Sequence, residues 1–242
     1  MLVAACLYFQ TAGAQSSSLL TNVELPGIVF KNPPEWLKKS DLISIIDGIK
    51  TRTGWNPENV VVQFYNDPGL YGLALQDARL GGTPAWGFAD SSKNMIHIGP
   101  QTRARDFKLL FSHELGHLIS WSLFHGSMAD YLEEGFAEWV AQNPNLSFSW
   151  INQQNKTIDP RLIMDAMRQG GASFDIQYRY GLSYATVLFL ANKCPDLIGV
   201  LRDSGGQNLD KLLADRCQTP FFLNSFQLWL NEMAFGSGRP RY

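Results

Sequence analysis

The sequence predicts an α+β domain, with a small mixed or antiparallel sheet in the N-terminal half, a helical C-terminal half, and a cleft between them. Two observations predict it. Extended, β-branched or alternating runs are confined to the residues before Asp106, whereas beyond Asp106 apolar residues recur at helical spacing almost to residue 235. A third sets the scale: 242 residues, 45% of them hydrophobic, suit one substantial core and therefore one domain.

Residues 2–9 are apolar and lead into Thr11-Ala12-Gly13-Ala14-Gln15, small residues of the kind a signal peptidase cleaves. Residues 1–15 thus read as a signal peptide, although no basic residue precedes the apolar run, and the expected destination is the periplasm or the outside of the cell. Val3-Ala4-Ala5-Cys6 has the look of a lipobox, which would make Cys6 a lipid anchor only if the true start lies upstream. The remaining residues, 19–242, form the single expected domain. No later stretch has the apolar length to span a bilayer.

Within it, Pro33-Pro34 precedes a helix over residues 35–53, where Trp36, Leu37, Leu42, Ile45, Ile46 and Ile49 share helical spacing. Residues 60–65 form a strand by their β-branched and aromatic content, and Asn66-Asp67-Pro68-Gly69 reads as a turn. Residues 71–77, 86–89 and 94–98 are further extended candidates. Helices are expected over 106–123, 130–142, 160–168, 180–192, 209–216 and 221–234. With Cys6 in the leader, Cys194 and Cys217 remain as an even pair, readable as a disulfide in an oxidising compartment or as two buried thiols.

A formal net charge of -2, with acidic and basic residues nearly balanced, supplies no field that would gather nucleic acid. Chemistry concentrates instead in His113-Glu114-Leu115-Gly116-His117. Residues four apart share a helix face, so both imidazoles reach one Zn²⁺, and Glu114 stands where its carboxylate can take a proton from a water there. Only four histidines occur in the chain, which makes chance pairing at this spacing a poor explanation. A catalytic zinc takes a third protein ligand and keeps one position open. Asp130-Tyr131-Leu132-Glu133-Glu134-Gly135-Phe136-Ala137-Glu138 offers carboxylates on a second helix, after a link at His125-Gly126-Ser127. Glu134 and Glu138 share a face there, while Glu133 is turned about 100° away, toward solvent or the helix end.

His-Glu-x-x-His followed by Glu-Gly-x-Ala resembles the gluzincin zinc metallopeptidases, in particular the peptidase MA-like domains related to the catalytic domain of large zinc aminopeptidases. The resemblance covers roughly residues 86–190. It implies a zincin-like fold with its cleft at the zinc, one Zn²⁺ per chain held by His113, His117 and Glu134, and Glu114 as general base. It also implies that Glu138 accepts the free ring N–H of His113. Tyr180, in Tyr180-Gly181-Leu182-Ser183-Tyr184, resembles the tyrosine that donates to the oxyanion in those enzymes, with Tyr178 and Tyr184 close by. The Glu that binds a substrate's free amine in the aminopeptidases has no counterpart in Trp86-Gly87-Phe88-Ala89-Asp90, though Asp90 is near.

The implied activity is hydrolysis of peptide bonds, endopeptidase-like, on exported or envelope proteins. A zinc hydrolase acting on another amide is the rival within enzymes, and a catalytically idle zincin domain that binds peptides or serves in assembly is the rival outside them. Cleft-edge strands hold extended peptides by β-augmentation, which nominates Asn94, Met95, Ile96 and His97 as a substrate-binding strand. His97 reads alternatively as a packed core residue.

Overall fold

The first strands, β1 (Val23–Leu25) and β2 (Ile28–Lys31), form a hairpin around Gly27. Its φ of +77° suits glycine, and a Cβ there would run into the Pro57 carbonyl oxygen. Helix α1 (Lys39–Thr53) then crosses to β3 (Val60–Phe64), which pairs parallel with β2. This is a computed structural model that describes residues 22–82, 85–145, 147–153, 176–219 and 222–235. The leader-like residues 1–15, with Cys6, and the helix expected over 160–168 lie outside the described residues.

Helix α2 (Pro68–Asp77) leads to the hairpin of β4 (Gly87–Asp90) and β5 (Met95–Ile98). The sheet order is β1-β2-β3-β5-β4, and it is mixed: β2, β3 and β5 run parallel, with an antiparallel strand at each edge. Val60, Val62, Phe64, Ile96 and Ile98 alternate onto one face and bury themselves against α1 and against α3 (Ala104–Phe124). On the opposite face, Tyr71 and Leu75 of α2 cover Phe88 in a smaller apolar cluster.

Two expectations change here. Residues 71–77 are helical, not extended. Asp67 caps the helix through Oδ1, which accepts from the N–H groups of Gly69 at 2.6 Å and Leu70 at 3.1 Å, and Pro68 fits the first turn. The supposed turn was a helix start. The second change concerns β5. It is paired with β3 on one side and β4 on the other, so Asn94, Met95, Ile96 and His97 have no free backbone edge to offer a peptide; the edge strand on that side is β4.

The second half is helical as expected: α3, α4 (Asp130–Ala141), α5 (Phe148–Gln153), α6 (Ile176–Lys193), α7 (Leu197–Asp203), α8 (Leu209–Cys217) and α9 (Phe222–Phe235) among the described residues. Sequence periodicity missed β1, β2, α5 and α7, all too short to show a period. Cys194, just past α6, is disulfide-bonded to Cys217 at the end of α8. Among the described residues no helix is long and apolar enough to cross a membrane.

Three helices position the site, and two glycines let them touch. A Cβ on Gly116 of α3 would meet Ala137 Cα of α4 at 2.7 Å, and one on Gly135 of α4 would meet the Ser183 backbone oxygen of α6. The Ser183 hydroxyl accepts from Gly135 N–H at 2.7 Å and donates to the Tyr131 carbonyl at 2.6 Å. Those two backbone groups stand four residues apart on α4, so the hydroxyl of α6 engages the helix ladder beside Glu134.

Candidate metal centre

Helix α3 ends at His125, which takes the left-handed conformation at φ +49°, followed by Gly126 at φ +77°. This reversal is what returns the chain along α3 as α4. His125 itself is exposed at the helix end.

The result is a triangle of ligand atoms. His113 Nε2 and His117 Nε2 are 3.2 Å apart, and Glu134 Oε2 lies 3.5 Å from the first and 3.7 Å from the second. Tetrahedral zinc with bonds of about 2.0–2.1 Å sets its ligands about 3.3 Å apart. Glu134 Oε2 is moreover buried with no hydrogen-bond partner among the described residues, an arrangement that costs free energy unless a cation meets it. His113, His117 and Glu134 form a group that could hold a metal ion.

Each imidazole has a carboxylate behind it. His113 Nδ1 stands 3.3 Å from Glu138 Oε1, and His117 Nδ1 stands 3.6 Å from Glu133 Oε1. A carboxylate at Nδ1 keeps the proton on that nitrogen and leaves the Nε2 lone pair for a metal. Glu133 is half exposed, as its helix position requires, but it does not simply face away: its side chain reaches back to His117.

The electrostatics follow from these contacts. Burial works against a charged His113, but the carboxylates of Glu134 and Glu138 outweigh it and push the imidazole up to about 10. His117 is raised in the same sense, burial being overcome by Glu133 and Glu134. Burial would lift the Glu134 carboxyl, yet the neighbouring imidazoles of His113 and His117 hold it below the ordinary range. The field that favours a proton on these rings equally favours a cation between them.

Glu114 differs. Buried, it is raised above the usual carboxylate range, with the two imidazoles opposing that shift and Glu134 adding to it. The Ala89 N–H, on the free edge of β4, bears on this carboxylate and partly offsets the shift. Asp90 is unavailable to a substrate amine, because Oδ1 accepts from Ser92 N–H and Oγ–H at 3.1 and 2.6 Å while Oδ2 pairs with Lys93 at 3.0 Å.

Two adjoining cavities flank the cluster. One, of about 390 Å³, has His113 and Glu114 on its floor and Trp86, Gly87, Leu109 and Leu110 on its walls. The other, of about 470 Å³, is bounded by Asn145, Ser147, Trp150 and Tyr184. Glu138, Asn143 and Tyr180 line both. Of the three tyrosines, only Tyr180 reaches the cavity lined by His113, and the Glu134 carboxylate acts on its hydroxyl. Tyr178 and Tyr184 are buried, Tyr178 against Trp150.

His97 lies elsewhere, on the sheet face that α2 covers. Its ring stacks on Phe88 at 4.3 Å, and its Nδ1 shares a 2.8 Å hydrogen bond with the Tyr65 hydroxyl. It packs, as one of its two sequence readings had it. Sequence reasoning missed Asn143, the Ala89 N–H and the Glu133 contact. Only Asn143 carries a local signal, as a short amide side chain just past a helix end.

No protein-family model matches the chain, nor does any curated protein.

Proposed function

We propose that the protein is a zinc-dependent peptidase of the gluzincin type, hydrolysing peptide bonds with Glu114 as general base. The observation that carries this reading is the ligand triangle of His113, His117 and Glu134, whose His113 lines a cavity together with Glu114, a carboxylate of raised proton affinity. Zinc held by His113, His117 and Glu134 would supply Lewis acidity, polarising a carbonyl and acidifying a water in its open position.

The chain's own groups do the rest. An extended peptide pairs with the free edge of β4 through the Gly87 backbone and the Ala89 carbonyl, which are turned away from β5, and so passes along the cavity that His113 and Glu114 line. Glu114 takes the proton of the attacking water and passes it to the leaving nitrogen, and its raised proton affinity suits both halves of that transfer. Ala89 N–H fixes its carboxylate. Tyr180 swings its hydroxyl from Glu134 to the oxyanion as the carbonyl becomes tetrahedral.

The test is hydrolysis of casein or an internally quenched peptide by the purified chain, with and without a chelator, beside the Glu114→Gln variant. Cleavage should require metal and vanish in Glu114→Gln while zinc stays bound. Tyr180→Phe should lower turnover by about two to three powers of ten. Full activity in Glu114→Gln overturns the mechanism, and zinc binding without hydrolysis of any peptide favours the idle binding domain.

A further inference from the structure

Glu138 is 9% exposed, and each of its oxygens has a job. Oε1 faces His113 Nδ1, and Oε2 accepts from the side-chain Nδ2 of Asn143 at 2.6 Å. The amide of Asn143 is pinned at its other end too, since Oδ1 accepts from Asn145 N–H at 2.9 Å. Its own N–H donates to the Glu138 carbonyl at 3.2 Å, and Gln142, left-handed at φ +52°, turns the chain so that this residue lies back along α4. The two partners fix which way the amide points, because a flip would set oxygen against carboxylate and NH₂ against N–H.

A buried carboxylate with one oxygen unsatisfied would rotate toward any donor or cation in reach, and the nearest cation would be the metal itself. Asn143 removes that freedom. We propose that Asn143 is a positioning residue of the metal centre: it clamps Glu138 so that the other oxygen meets the rear N–H of His113, and it acts on the metal through Glu138 alone. The proposal rests on the zinc site of the preceding reading and not on peptide hydrolysis.

Zinc affinity, measured on the full chain by competition with a chromophoric chelator, tests it. Asn143→Ala should weaken binding roughly three- to tenfold, less than loss of the carboxylate itself. Asn143→Asp, which keeps the acceptor for Asn145 but replaces the donor by a second acceptor, should weaken it at least as much. In a Glu138→Ala background, Asn143→Ala should leave the affinity unchanged. A merely structural role would lower the melting temperature in both backgrounds and leave zinc affinity alone, which overturns the proposal; so does an equal loss of affinity in both. Should Asn143→Ala fail to fold, Asn143→Asp in the two backgrounds decides alone. Tight zinc in the parent with unaltered variants refutes only this inference, whereas no zinc in the parent refutes the metal site as well.

Discussion

Histidine is drawn out of solvent in two regions of this molecule, half-buried in one and buried in the other, and its charge is pushed in opposite directions there. Between α3 and α4, carboxylates overcome burial and raise His113 to about 10. On the α2 face of the sheet, His97 is 7% exposed among Tyr65, Tyr71 and Phe88, and burial lowers it. The charges that bear on His97, Asp90, Lys93 and Asp77, are mixed in sign and pair with one another. Burial alone therefore says little about what an imidazole does. Its carboxylate partners decide whether it is a ligand or a packed ring.

That contrast can be broken from the carboxylate side. Glu134→Ala removes the group both rings share and should cost zinc affinity more than about a hundredfold, beyond the range for a supporting residue. Elemental analysis after gentle purification would then find the site empty. Glu138→Ala should cost about ten- to a hundredfold by removing the buried partner of His113. Glu133→Ala takes away a half-exposed, solvent-screened partner of His117 and should cost about threefold or less. Titrating the three side by side sharpens the ranking, and equal losses from Glu133→Ala and Glu138→Ala would show that burial of the supporting carboxylate is irrelevant.

The smallest effect belongs to His97. Its folded proton affinity is depressed, so as pH falls below about 6.5 the unfolded chain takes up a proton first and stability drops, levelling off below the folded value. His97→Gln should remove that slope. Denaturant unfolding of both proteins between pH 8 and pH 5, about the range of an ordinary imidazole, reads the difference. Identical slopes would mean that His97 is not held neutral by its surroundings.

What was legible in the sequence is what is local. The i, i+4 spacing of His113 and His117, and of Glu134 and Glu138, assigns faces of helices without any knowledge of the fold, and the switch from alternation to helical period at Asp106 marks the two halves. Strand partners are not local. Nothing in residues 94–98 says that β3 will pair with one side and β4 with the other, so β5 passed for an edge. Residues 71–77 failed differently: Asp67 and Pro68 serve a turn and a helix start equally well, and Leu70, Leu73 and Leu75 fit either. Asn143 shows locally only as an amide past a helix end, and its contact with Glu138 depends on the chain doubling back after Gln142.

The hydroxyl of Ser183 makes α6 part of the thermodynamics of the proposed metal site. Glu134 sits between Tyr131 and Gly135, the two residues this hydroxyl engages, so α6 cannot detach without releasing backbone groups beside the ligand. Local opening of α6 and loss of a metal bound there would then become one event. Zinc should slow amide exchange well beyond its ligands, along α6 toward Cys194, where the bond to Cys217 carries the protection on to the end of α8.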